Sequence, residues 1–236
     1  MKELSFKVAA KTARLFGREN VSNAEGAISE LVKNTYDADA TMCLVCFIPR
    51  YSSAPNKLKK SEFARLREIH PEIEEFYAQQ SEGYERRDAA YNLNVEVVDK
   101  LASGLLDLWL IDNGDGMNAK TIEDNWMVIG TNNKEQNATS DSGRARTGAK
   151  GIGRFALDRL GSECQLFSSS ATREAISNLE WVVNWDDFDA ADKTLEDIKA
   201  VLREDQTTLD ERLRFLDDHP PISTAVSQLA GKGFNW

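Results

Sequence analysis

The stretch "AISELVKNTYDADAT" (27–41) decides how this chain is read. Its pattern predicts a helix within "VSNAEGAISELVKNTYDADA" (21–40). At about 100° per residue, Glu30, Asn34 and Asp37 share one face, and Ala24, Ile28, Leu31 and Thr35 share another. Ser22 followed by Glu25 three residues later predicts a capping box at the start. Taken alone, this is how an ordinary surface helix looks, polar outward and apolar inward. The alternative is a polar face turned onto a ligand, and only the rest of the chain can supply that ligand's other contacts.

At 236 residues the chain is long enough for one large domain or two small ones, and 29% charged residues describe a soluble globular composition. A net charge of −10 disfavours a surface that coats nucleic acid. The charge is uneven, however. The run "GRARTGAKGIGRFALDR" (143–159) sets Arg144, Arg146, Lys150, Arg154 and Arg159 against Asp158 alone, whereas residues 186–218 are rich in Asp and Glu. A basic island in an acidic chain predicts a local anion site; the plain alternative is a chance cluster of solvated side chains. Cys43 and Cys46 form a CxxC, but they fall in the strand-like "TMCLVCFI", where residues three apart point to opposite faces. With no second ligand pair at metal spacing they read as core residues, in a reducing, cytoplasmic setting. No secretory signal and no membrane-spanning apolar run is visible.

Along the chain, "TMCLVCFIP" predicts a strand ending at Pro49. Residues 50–92 differ in kind and read as a helical insertion, with "SEFARLREI" and "PEIEEFYAQQ" as its helices. It is either a solvated excursion or a partner-contact surface. "LNVEVV" (93–98) and "LLDLWLI" (105–111) read as strands. A Gly turn, a short helix and a second turn follow, and the unpatterned residues 135–147 predict a mobile loop. "GAKGIGRFALDRLG" reads as a Gly-rich turn running into a helix that stops at Gly161. "CQLFSSS" and "LEWVVNW" read as paired strands, with helices expected at about 191–204 and 207–217. The whole predicts one α+β domain over 1–236.

Two Gly-rich stretches carry chemistry. In "IDNGDGM", Asp112 ends a hydrophobic strand and is followed by Gly114 and Gly116. Its carboxylate can accept a hydrogen bond from an exocyclic amine, and the bare backbone beside it lets a flat ring approach. A simple hairpin turn would use the same residues. In "TGAKGIGR", Gly148, Gly151 and Gly153 precede a helix, so exposed N–H groups and the helix dipole favour a phosphate, with Lys150 and Arg154 adding charge. The same stretch looks like a short-chain dehydrogenase turn. It is one residue short for that, lies far from the first strand and lacks the following acidic residue.

Taken in order, Glu30-x-x-x-Asn34-x-x-Asp37-Ala38, Asp112-x-Gly114-x-Gly116 and Gly148-x-x-Gly151-x-Gly153 resemble the GHKL ATPase superfamily of gyrase-type topoisomerases, heat-shock chaperones, histidine kinases and mismatch-repair ATPases. The resemblance covers roughly residues 20–190 apart from the insertion. It implies a two-layer α+β sandwich, with a mixed, mainly antiparallel sheet, helices on one face, and ATP between the helix layer and a lid. It implies that Asn34 coordinates Mg²⁺ and that Glu30 polarises the attacking water as general base. Asp37, Ala38 and Asp112 would line the adenine side, and Met117 would pack on the base. Residues 118–147 are similar to the family's ATP lid, with Thr131 and Lys134 in "IGTNNK" near its opening. Gly148, Ala149, Lys150, Gly151, Ile152, Gly153 and Arg154 would hold the phosphates.

Glu30 separates the branches. A carboxylate there suits hydrolysis, whereas the kinase branch needs a phosphoacceptor histidine upstream. The two histidines, His70 and His219, come after the Asn34 motif and each precedes proline. The family's phosphate-contacting lysine from a second domain is not found, and "GKGFNW" resembles the approach to a further strand. The expectation is therefore the N-terminal ATPase part of a longer protein. Such a module would hydrolyse ATP with Mg²⁺, close its lid, pair as an ATP-dependent homodimer through the amphipathic "FKVAAKTARLFG" (6–17), and control a downstream effector or partner. The alternative is a nucleotide-responsive interaction module with little hydrolysis.

Overall fold

Ala10, Ala13, Arg14 and Gly17 fall on one face of α1 (Ala10–Asn20), and all four are buried. Gly17 is required by close approach: a Cβ there would overlap the Phe155 carbonyl group. This lets α1 lie directly on the 3₁₀ helix Gly153–Arg159. The computed structural model describes residues 5–87, 99, 104–130, 139–140, 142–146, 153–171, 176–207, 209–218 and 223–224. They divide into two compact units, Met1–Cys43 with Ile111–Trp236, and Leu44–Leu110.

In the first unit α1 leads into α2 (Ala24–Asp37). The α2 cap is Asn23, whose side chain accepts from the Gly26 N–H at 2.8 Å, and not the predicted Ser22–Glu25 box. Asn is as good an N-cap as Ser, and one residue later it meets the N3 amide. Among the described residues three strands make this unit's sheet. In the order of the whole chain they are β6 (Glu163–Ala171), β7 (Ile176–Asn184) and β8 (Val201–Glu204), all antiparallel. The predicted pairing of "CQLFSSS" with "LEWVVNW" is present, with Leu166 opposite Trp181.

The expected helix at 191–204 is absent. Its place is taken by a 3₁₀ turn at Leu195–Asp197 and by β8, with Leu202 opposite Trp181. Pairing satisfies the outer row of β7 backbone groups, and that overrides a local helical pattern. At 207–217 the helix is short, α6 (Leu209–Leu213), and tightens into a 3₁₀ turn at Arg214–Asp218. The core joins α1, the 3₁₀ helix and the sheet through Ala10, Ala13, Phe155, Leu179, Trp181, Val183, Trp185 and Phe188. Phe155 meets the edges of Trp185 and Phe188 at 5.9 and 6.4 Å.

Most of β1 (Cys43–Pro49) and of β5 (Leu106–Asp112) falls in the second unit, where the two strands pair, and just beyond them Arg50 donates its N–H to the Leu105 carbonyl. Between these strands lie β2 (Lys57–Leu58), α3 (Lys60–Ile69), α4 (Ile73–Phe76), β3 (Tyr77–Gln80) and β4 (Gly83–Arg86). "SEFARLREI" is helical as predicted. "PEIEEFYAQQ" is helical only to Phe76 and then extends as β3, in a sheet ordered β2-β4-β3. Pairing of Gln80 with Gly83 closes a two-residue hairpin. That hairpin carries Tyr84 onto Phe63 with ring centroids 3.5 Å apart. Aromatic stacking and the hairpin outweigh the helical propensity of the Glu-rich run. The strand predicted at 93–98 lies outside the described residues.

Candidate functional site

The site residues that are described all belong to the first unit. On α2, Asp37 is buried, and Glu30 and Asn34 are half-buried. Two contacts of the Glu30 carboxylate are seen among the described residues. Its Oε1 accepts from Lys33 Nζ at 2.7 Å, and its Oε2 would lie 3.3 Å from a Cβ placed on Gly153. The end of the Gly-rich motif therefore rests directly on the Glu30 carboxylate.

The Asp112 turn docks eight residues further along, at the end of α2. The Asp115 N–H donates to the Ala38 carbonyl at 2.9 Å. Gly114 is so close that a Cβ would come within 2.7 Å of the Ala38 carbonyl oxygen and 2.9 Å of its Cβ. Asp112 Oδ1 accepts the Gly114 N–H at 2.8 Å. Burial pushes the Asp112 pKa up, and the Gly114 N–H opposes that shift. Gly116 adopts φ +68, and any side chain there would run into the Ser169 carbonyl. Next to it the Met117 N–H donates to Ser168 Oγ at 2.6 Å, and the Met117 side chain packs against the core. The two glycine motifs thus touch one helix at Glu30 and at Ala38, about 12 Å apart at 1.5 Å per residue.

Arg154 is turned inward. The residue is 9% exposed, and its guanidinium donates to the Asn125 carbonyl at 3.1 Å and to the Val128 carbonyl and lies against Trp126 and Phe155. Burial pulls its pKa down to about 10. Asn125 and Trp126 belong to a π-helical turn, Ile122–Trp126, that follows the short helix α5 (Ala119–Thr121). Arg154 therefore holds the segment that leaves the Asp112 turn. Thr131, Lys134, Gly148, Ala149, Lys150, Gly151 and Ile152 lie outside the described residues.

Sequence reasoning missed three sets of contacts. Asn113 Oδ1 accepts from the Thr41 and Met42 N–H groups at 2.9 Å each, and its Nδ2 donates to Thr41 Oγ1. Ser168 receives Met117 as above. Asp39 takes both Ser140 and Ser142, so the described part of 139–146, predicted mobile, is folded onto the end of α2. The Asx and Ser residue types were visible, but their partners lie 51 to 103 positions away.

The family model "Histidine kinase-, DNA gyrase B-, and HSP90-like ATPase" matches residues 86–212. The chain belongs to this family. The match takes in both glycine motifs and begins after α2, so the GHKL assignment rests on residues independent of Glu30 and Asn34. No curated protein matches the chain. The mixed α+β architecture with antiparallel sheets fits the GHKL fold, and membership supports ATP binding. Among the described residues no helix is long and apolar enough to cross a membrane.

Proposed function

We propose that this GHKL module binds ATP with Mg²⁺ and hydrolyses it, with Glu30 as general base. The observation that carries this is the placement of Gly153 against Glu30 and of the Asp112 turn against Ala38 on the same helix. Adenine is placed at Asp112, lined by Asp37 and Ala38 with Met117 on its face, and the phosphates toward Gly148–Gly153 with Lys150. Arg154, Thr131 and Lys134 belong to the phosphate and lid side. Arg154 acts there by holding the Asn125 and Val128 carbonyls.

Asn34 fits a role at Mg²⁺. Its side-chain amide sits on the face between Glu30 and Asp37 and carries one oxygen, and among the described residues no group of three His, Cys, Asp or Glu could hold a metal as a protein cage. A hard cation that keeps its waters and takes its remaining oxygens from phosphates suits that donor set. When bound it neutralises phosphate charge, while Glu30 accepts a proton from the attacking water.

Residues 118–147 would close over the nucleotide, and closure would favour a homodimer through the N-terminal segment, where Phe6, Val8, Leu15 and Phe16 are exposed. The dimer would then control a downstream effector. Three free cysteines support a cytoplasmic setting. Asp112→Ala tests the pocket directly. Losing a charge-assisted bond worth about 1.5–3 kcal/mol should weaken ATP binding at least tenfold by calorimetry. Unchanged affinity would place adenine elsewhere.

A further inference from the structure

Asp39 follows the Asp37–Ala38 end of α2 with φ 61, and among the described residues it is alone outside glycine in having positive φ. Left-handed backbone is uncommon for a residue with a Cβ, and Asp is among the few types that adopt it. It carries the chain off the helix and presents a carboxylate to residues a hundred positions later. Ser140 Oγ donates to Asp39 Oδ1 at 2.6 Å, the Ser142 N–H donates to Oδ2 at 3.1 Å, and Ser142 Oγ donates to Oδ1 as well. These bonds hold the Asp39 carboxyl down at about 2.

The receiving segment is itself built. Thr139 bridges Ala145, the Ser140 N–H donates to the Arg144 carbonyl at 2.9 Å, and Gly143 turns with φ 84. Arg144 closes the clasp from the other side. Its Nη1 donates to the Ala40 carbonyl at 2.6 Å, its guanidinium lies over Tyr36 at 5.3 Å, and its Nε stands 3.8 Å from Asp39. Ser140 is 7% exposed, so the contact is not a passing surface bond.

The position in the chain gives this clasp its consequence. Arg146, the last described residue of the clasped segment, is two residues before Gly148, and two residues of chain span at most about 7 Å; at the motif's other end Glu30 meets Gly153. The described residues on either side of the motif's first five positions, the Ser140–Arg146 segment and Gly153, are thus both held to one helix. We propose that Asp39 is a positioning residue for the triphosphate: through Ser140, Ser142 and Arg144 it sets the glycine-rich motif against α2. This rests on the nucleotide reading of the site. The end assigned to adenine has hydrogen bonds of its own, through Asp112, Gly114 and Asn113, none of them made to Asp39, Ser140, Ser142 or Arg144.

The test compares ATP with adenosine on the whole chain, wild type against Asp39→Asn and Ser142→Ala. Asn tolerates left-handed backbone but lacks the charge and one of the two acceptor oxygens. Ser142→Ala leaves α2 untouched and guards against a folding defect in the first variant. Asp39→Asn should weaken ATP binding about tenfold, as loss of a charge-assisted bond does, and leave adenosine binding unchanged. Ser142→Ala should act in the same direction by less. Amide exchange at Ser142 and Arg144 should quicken in both variants. If exchange quickens while ATP affinity holds, or if ATP and adenosine weaken equally, the proposal is overturned. If wild type binds neither ligand, the nucleotide reading itself fails, a result separate from any effect of the variants.

Discussion

Gly116 shows how a single position carries the site. Its φ of +68 turns the backbone after Asp112, and the Ser169 carbonyl occupies the place of a Cβ. Gly116→Ala should cost about 1–2 kcal/mol from the left-handed backbone alone, and more from the overlap with Ser169, read as a lowered midpoint in urea. A midpoint equal to wild type would mean that the turn is slack. At this scale the sequence was legible where spacing encodes chemistry. Glu30, Asn34 and Asp37 share a helix face because of their period, and Asp112 with its glycines announced a bare turn. It was not legible at Asp39, Asn113 or Ser168. Such side chains cap and bridge anywhere, and only the fold brings together partners separated by 51 to 103 positions in the chain.

Between elements, the tie that matters runs from α1 to the 3₁₀ helix following Gly153. Asp158, its side chain wholly buried, accepts from Arg14 Nε at 2.9 Å and from Arg18 Nε at 2.8 Å. Arg14 also donates to Asp189 at 2.6 Å and to the Trp185 carbonyl at 3.1 Å. Removing Asp158 takes a buried charge partner from both arginines at once, although Arg14 keeps Asp189. Asp158→Ala should therefore destabilise the first unit by about 3–5 kcal/mol, with faster amide exchange in α1. A change below 1 kcal/mol would show that solvent already satisfies these arginines. Arg154 and Arg159 were visible in the sequence as a basic island. That the fold turns Arg154 inward to two carbonyls, and directs the Arg159 guanidinium to the Arg18 carbonyl, was not. Strands β3 and β8 escaped the pattern reading for a related reason: each is extended because a neighbouring strand needs pairing, a non-local demand.

Across the whole molecule, the described site residues come from the first unit, while Leu44–Leu110 has a core of its own around Phe63, Leu66, Ile73 and Tyr77. Buried Glu62 holds that core's polar edge, accepting from the Lys59 N–H, Arg50 and Tyr51. Phe63→Ala should cost about 3–5 kcal/mol in that unit and leave ATP affinity near wild type. A matching loss of affinity would show that the site depends on the second core. The central claim concerns turnover, and Glu30→Ala examines it most directly, with ATP affinity and phosphate release measured side by side. The account predicts ATP affinity close to wild type with phosphate release slower by roughly 10²–10⁴-fold, the share a general base supplies. Phosphate release at the wild-type rate would contradict it.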